Sequence, residues 1–293
     1  YKRQFRDVML ELSRSFPIRR MYLYGSESGA DFAIAFSQRF PALADGVVAY
    51  RASAAVQQFA GKGRMPLVFV QGAKDGLLPL ATSIENHRAF IDAGHAGVRL
   101  RVLPGFNDYP NPVRVSECID WMLAMNARGD GAAEEVLHAV RGMLEPKESD
   151  ESGYVGPVWF SGAYEALSRI TGTPEGGIIG AAGDNVGERL WRSLGASGKA
   201  AKDGARGGGG EISDETLAAA STLQGEIETH AKRHVSEIQK LMNPQASGTS
   251  TEMEAGGLPV PDGSPAAAWL WHFRQDFRGV APAEAYIAAI GYD

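Results

Sequence analysis

The sequence predicts an α/β fold: a parallel sheet with crossover helices in the front of the chain, followed by a mostly helical region. Three observations predict it. Strand-like and helical segments alternate over residues 1–126, the pattern of βαβ units. Beyond residue 126 the apolar periodicity is helical alone. The chain has 293 residues, 44% hydrophobic and 22% charged, an ordinary globular balance with enough material for a large core.

In chain order, residues 1–15 read as a helix, with Phe5, Val8, Met9 and Leu12 on one stripe. Residues 19–24 (RRMYLY) read as a strand, and GSESGA turns into a helix reaching Phe40. Strands follow at 46–50 (GVVAY) and 66–71 (PLVFVQ), then a helix at 79–93. Strand 98–103 (VRLRVL) leads to helix 111–125, whose apolar positions are Val113, Val115, Ile119 and Leu123. Further helices are expected at 131–144, 157–171, 184–194, 214–242, 265–277 and 282–290. Residues 195–211 and 245–264, rich in Gly, Ala, Ser and Pro, read as flexible connectors. The division is therefore 1–126, sheet and crossovers, and 127–293, helical accessory region.

The formal net charge is -6 and there is no basic stripe, which argues against a nucleic-acid partner. No apolar run is long enough to span a bilayer. The single cysteine, Cys118, excludes an intramolecular disulfide and any multi-cysteine metal site; beside Ile119 and Trp121 it reads as a buried thiol. The chain opens on Tyr1 in a helical pattern, so an upstream segment is expected, and the compartment is left open.

The stretch Tyr22-Leu23-Tyr24-Gly25-Ser26-Glu27-Ser28-Gly29-Ala30 is the most specific signal. It resembles the nucleophile elbow of α/β-hydrolases, a strand turning sharply into a helix, with small residues two positions either side of the strained one. Gly25 and Gly29 meet that requirement around Glu27. The continuation Ala30-Asp31-Phe32-Ala33, then Arg39-Phe40-Pro41 before Val47-Val48-Ala49, is similar to esterase and dienelactone-hydrolase-type members. The resemblance implies a partial α/β-hydrolase parallel sheet, the C-terminal half of that fold, over residues 1–126, with the early strands upstream of Tyr1.

In this register the nucleophile position holds Glu27, where the family carries Ser, Cys or Asp. The blander reading of Glu27 is a carboxylate capping the helix N-terminus. A one-residue slip makes Ser28 the nucleophile, between Ser26 and Ala30. The loop Gly72-Ala73-Lys74-Asp75-Gly76 resembles the segment bearing the family's triad aspartate, which gives Asp75 the task of orienting an imidazole; otherwise it is a turn residue. The family's histidine loop reads Pro104-Gly105-Phe106-Asn107-Asp108-Tyr109-Pro110, with Asn107 or Asp108 in the histidine's place. Asparagine cannot take a proton, and an ordinary aspartate is a poor base for a serine hydroxyl. His95 precedes strand 98–103 and is about 20 Å from the strand C-termini. His87 is expected at the surface. His138, His230, His234 and His272 lie in the helical region, and only a folded-back arrangement delivers one.

One donor of an oxyanion hole is readable, the N–H of Ser28 or Gly29; its partner comes from an early strand in the family. His230 and His234 share a helix face, but no third ligand is evident, so a solvated face is expected and no metal. Gly176 to Gly183 lacks a P-loop's lysine and hydroxyl and reads as a loop, with Asp184 as an N-cap, so no cofactor is expected. A polar interval at 228–233 interrupts any coiled-coil seam in helix 214–242. The aromatic run Trp269-Leu270-Trp271-His272-Phe273 reads as core or docking surface, a place for a protein partner. With two triad positions altered, a non-catalytic binding or scaffolding homologue is expected, its ligand an ester-like small molecule. The alternative is an active esterase using Ser28, Asp75 and a histidine from the helical region. A third reading, Glu27 as a carboxylate nucleophile, lacks the same base.

Overall fold

The structure, a computed structural model, describes residues 2–61, 65–73, 75–103, 116–129, 131–145, 158–171, 212–242, 270, 273–274 and 276–290. Four strands, β1 (Tyr22–Ser26), β2 (Gly46–Tyr50), β3 (Leu67–Gly72) and β4 (Val98–Leu103), pair in chain order as a parallel sheet. Helix α1 (Lys2–Ser15) precedes β1, α2 (Ser28–Arg39) crosses from β1 to β2, and α3 (Leu80–Asp92) from β3 to β4. After the sheet come α4 (Ser116–Asn126), α5 (Ala132–Leu144), α6 (Phe160–Thr171), α7 (Asp214–Met242) and α8 (Ala281–Ala289). The predicted α/β class is therefore observed, a parallel sheet with crossover helices and a helical region behind it.

The two faces of the sheet follow from the two-residue period of a strand. Val47, Ala49, Leu67 and Phe69 point to one face, where they pack with Ala30, Ala33, Ile34 and Phe36 of α2 and Phe90 of α3. Phe5 and Met9 of α1 border that cluster. Val48, Tyr50, Val68 and Val70 point to the other face, and one apolar cluster runs from them through α4, α5, α6, α7 and α8. Both central strands are buried along their whole length, as expected of a parallel sheet covered on both sides. Cys118 and Trp121 of α4 are fully buried in this second cluster, so the buried-thiol reading of Cys118 holds.

Ion pairs fix the helices to the sheet's margins. Arg20, just before β1, pairs with Glu135 of α5, and Arg99 of β4 pairs with Glu165 of α6. The second carboxylate oxygen of Glu165 also accepts a hydrogen bond from the Trp121 indole at 3.1 Å. The expected helix 184–194, the Gly176–Gly183 loop with Asp184, both connectors (195–211 and 245–264), and Trp269, Trp271 and His272 lie outside the described residues.

Candidate functional site

The strands end together at Ser26, Tyr50, Gly72 and Leu103, and every predicted site residue follows one of those ends. Asn107 and Asp108, after β4, lie outside the described residues. Glu27 and Ser28 follow β1, and Asp75 follows β3.

The turn from β1 into α2 is sharp, and its strain falls on Glu27, with φ 54° and ψ -122°. Such a conformation is costly for a residue with a Cβ and persists only where its surroundings hold it. Here the Glu27 N–H donates to the Tyr50 carbonyl at 2.9 Å, and its own carbonyl accepts from the N–H groups of Ala30 and Asp31. Ser28 is the first residue of α2 and is exposed. The register centred on Glu27 is thus the one whose geometry is strained.

The two glycines flanking the turn are not equivalent. A Cβ on Gly25 would lie 2.2 Å from the backbone oxygen of Gly29, because the strand passes over the first turn of α2. A Cβ on Gly29 would meet nothing within 4 Å. The small-residue requirement read on both sides of position 27 is therefore one-sided. Gly25→Ala is expected to cost about 2 kcal/mol, since backbone must move to admit the methyl group. Gly29→Ala is expected to change stability by less than about 1 kcal/mol, in the stabilising direction. Urea unfolding of the two variants checks the contrast.

Glu27 does not cap α2: its side chain makes no hydrogen bond to the helix amides. Its carboxylate, 52% exposed, instead accepts a 2.9 Å hydrogen bond from Nη1 of Arg51. The competing attraction is a full guanidinium charge, against partial charges at the helix end. The N–H groups of Ser28 and Gly29 are left without a protein acceptor among the described residues.

Arg51 is the residue that joins the site together. Its side chain is 3% exposed, and Nε lies 2.7 Å from Oδ2 of Asp75, whose side chain is 0% exposed. That contact is a charge pair whose N–H does not point along the line to the oxygen. Arg51 also has positive φ, at 51°. Its loop is clamped from two helices: Asp31 of α2 accepts from the N–H and hydroxyl of Ser53, and the Asn86 amide of α3 donates to the carbonyls of Ala52 and Ser53.

Asp75 is fully engaged. Its Oδ1 accepts from the N–H groups of Leu77 and Leu78 at 2.8 and 3.1 Å, and its Oδ2 from the Gln71 amide at 3.1 Å. Gln71, itself buried, accepts from the Ser83 hydroxyl. Asp75 thus does the turn work and also holds a cation. Among the described residues no imidazole bonds to it.

The described histidines lie elsewhere. His95 sits before β4, at the far end of the sheet, where it is buried and packs edge-on against Phe90. His87 is buried in α3, not at the surface as its sequence neighbourhood suggests, because α3 turns Ser83, Asn86, His87 and Phe90 inward together. His138 is exposed on α5. His230 and His234 of α7 pack against Phe160 and Phe277, and among the described residues no cluster of ligands could hold a metal ion.

No protein-family model matches the chain, and no curated protein matches it. One solved structure that does, described as the crystal structure of a predicted CIB-like hydrolase from Thermoplasma acidophilum, is 22% identical with a TM-score of 0.27. The match covers 39% of this chain and 54% of that one, so the chain spans about half the length of that structure. At this TM-score the likeness carries no argument about the site.

Proposed function

We propose that the chain is an α/β-hydrolase-fold protein whose catalytic centre has become a non-catalytic binding site. The division at residue 126 belongs to this reading, with 1–126 as the C-terminal half of the hydrolase-like sheet and 127–293 as an accessory region docked on it. The turn at Glu27 is then the nucleophile elbow, Asp75 stands at the acid position, and Asn107 or Asp108 replaces the histidine.

The observation that carries the reading is the Arg51 guanidinium between the carboxylates of Glu27 and Asp75. Acyl transfer needs a group there that takes a proton from the nucleophile and returns it to the leaving group. A guanidinium stays protonated throughout and has no acceptor site. It neutralises the Asp75 carboxylate that would otherwise orient an imidazole. The open N–H groups of Ser28 and Gly29 still offer donors to a ligand carbonyl, so an ester-like molecule can be held without being cleaved. The helical region supplies a surface for a protein partner.

A fluorophosphonate probe tests this on the full chain. The expected result is no adduct at Ser28 by peptide mapping, and a rate of p-nitrophenyl acetate hydrolysis that Ser28→Ala leaves unchanged. An adduct at Ser28, or loss of hydrolysis in Ser28→Ala, would overturn the proposal in favour of an active esterase.

A further inference from the structure

The two edges of the sheet are built differently. On the β4 side, Arg99 and Arg101 put charge into the edge strand itself, and Arg99 is tied to Glu165 of α6. Charges and covering elements are how proteins keep an edge from pairing with another chain. Among the described residues β1 pairs with β2 alone. Its sequence, Tyr22-Leu23-Tyr24-Gly25-Ser26, holds no charge and no proline, and its register with β2 runs without a bulge.

The direction of the backbone groups of β1 follows from two bonds. The Met21 carbonyl accepts from Asp45, and the Glu27 N–H donates to Tyr50, both on the β2 side. Strand alternation then sends the N–H and C=O groups of Tyr22, Tyr24 and Ser26 to the open side. The Tyr24 side chain is 44% exposed. Exposed Arg19 stands before the strand, and half-exposed Glu27 directly follows it.

The geometry points to a second copy of this chain as the partner of that edge, pairing antiparallel along β1 about a two-fold axis through Tyr24. A strand that meets its own copy across a two-fold axis in the sheet runs antiparallel to it. With Tyr24 opposite Tyr24, Tyr22 of each copy faces Ser26 of the other, and every outward N–H meets an outward carbonyl. The two exposed Tyr24 rings come side by side on one face and cover each other. The same arrangement brings the basic end of one strand, at Arg19, to the acidic end of the other, at Glu27. A slipped register parts both the tyrosines and these charges. The interface is small, so a micromolar affinity is expected. The assignment does not depend on what binds at Glu27.

Sedimentation velocity on the full chain should show a monomer–dimer equilibrium in the micromolar range. Tyr24→Lys sets like charges directly opposite each other at the axis. It should weaken the dimer at least about tenfold while leaving the circular dichroism spectrum unchanged. Tyr24→Cys should give a disulfide-linked dimer at least about tenfold faster than Leu77→Cys, a position 76% exposed but off the strand. The native Cys118 is buried and takes no part. A monomer at every concentration, as expected if another segment or another protein takes the edge, would overturn the assignment. So would a dimer that Tyr24→Lys leaves as tight, or equal cross-linking from positions 24 and 77.

Discussion

Replacing Arg51 by methionine is expected to destabilise the protein by roughly 3–5 kcal/mol, the cost of stripping one partner from a buried ion pair. The Asp75 side chain is 0% exposed and would lose its cation. Its remaining partners, the N–H groups of Leu77 and Leu78 and the Gln71 amide, keep it hydrogen-bonded but do not neutralise it. Glu27 contributes little to this cost. It is half exposed, water replaces the guanidinium, and Glu27→Gln should change stability by less than about 1 kcal/mol. Adding Asp75→Asn to Arg51→Met should recover part of the loss, because asparagine's oxygen still accepts from both loop amides and carries no charge. Urea unfolding of the three variants and the wild type measures all of this. A loss below 1 kcal/mol in Arg51→Met would show that the guanidinium does not hold the site.

Nothing local in the sequence marks Arg51, which follows a strand as one more polar loop residue. The signal that could have found it is register. In a parallel sheet, Gly25 lies beside Ala49 and Ser26 beside Tyr50, so the residue after β1 emerges next to the residue after β2. Glu27 and Arg51 are therefore neighbours once strand order is known, and strand order is not a local property of either segment. What was legible depended on local constraint: the apolar runs of β2 and β3, the glycine at 25, and the Asp-Gly turn after β3. Glu27 as a helix cap was a sound local inference that a non-local cation overrode. The burial of His87 escapes the sequence pattern for a related reason. The inward face of α3 carries serine, asparagine and histidine beside Phe90, so hydrophobic periodicity did not mark it as buried.

That inward face gives the protein an acid-sensitive element. Burial, with the charges of Arg278 and Arg99 adding to it, pushes the His87 pKa down from 6.5 to about 4. Its Nε2 has no hydrogen-bond partner, so no carboxylate compensates a proton there. The sign follows from which state binds the proton. Above pH 6.5 the ring is neutral folded and unfolded, and His87 contributes no pH dependence. Between pH 6.5 and about 4 the unfolded chain takes a proton that the folded one refuses, so stability falls as pH falls through this window. The loss attributable to His87 is about 2 kcal/mol at pH 5 and approaches about 3 kcal/mol near pH 4. Carboxylates titrate in the same range, so the measurement is a difference: urea unfolding of the wild type and of His87→Gln, followed from pH 8 to 4. Glutamine removes the titration while keeping a polar side chain. The gap between the two curves should be constant above pH 6.5 and then shift progressively against the wild type. Parallel curves throughout would mean that His87 accepts its proton as easily folded as unfolded. Burial and the two guanidiniums, Arg278 and Arg99, then would not disfavour the charged ring.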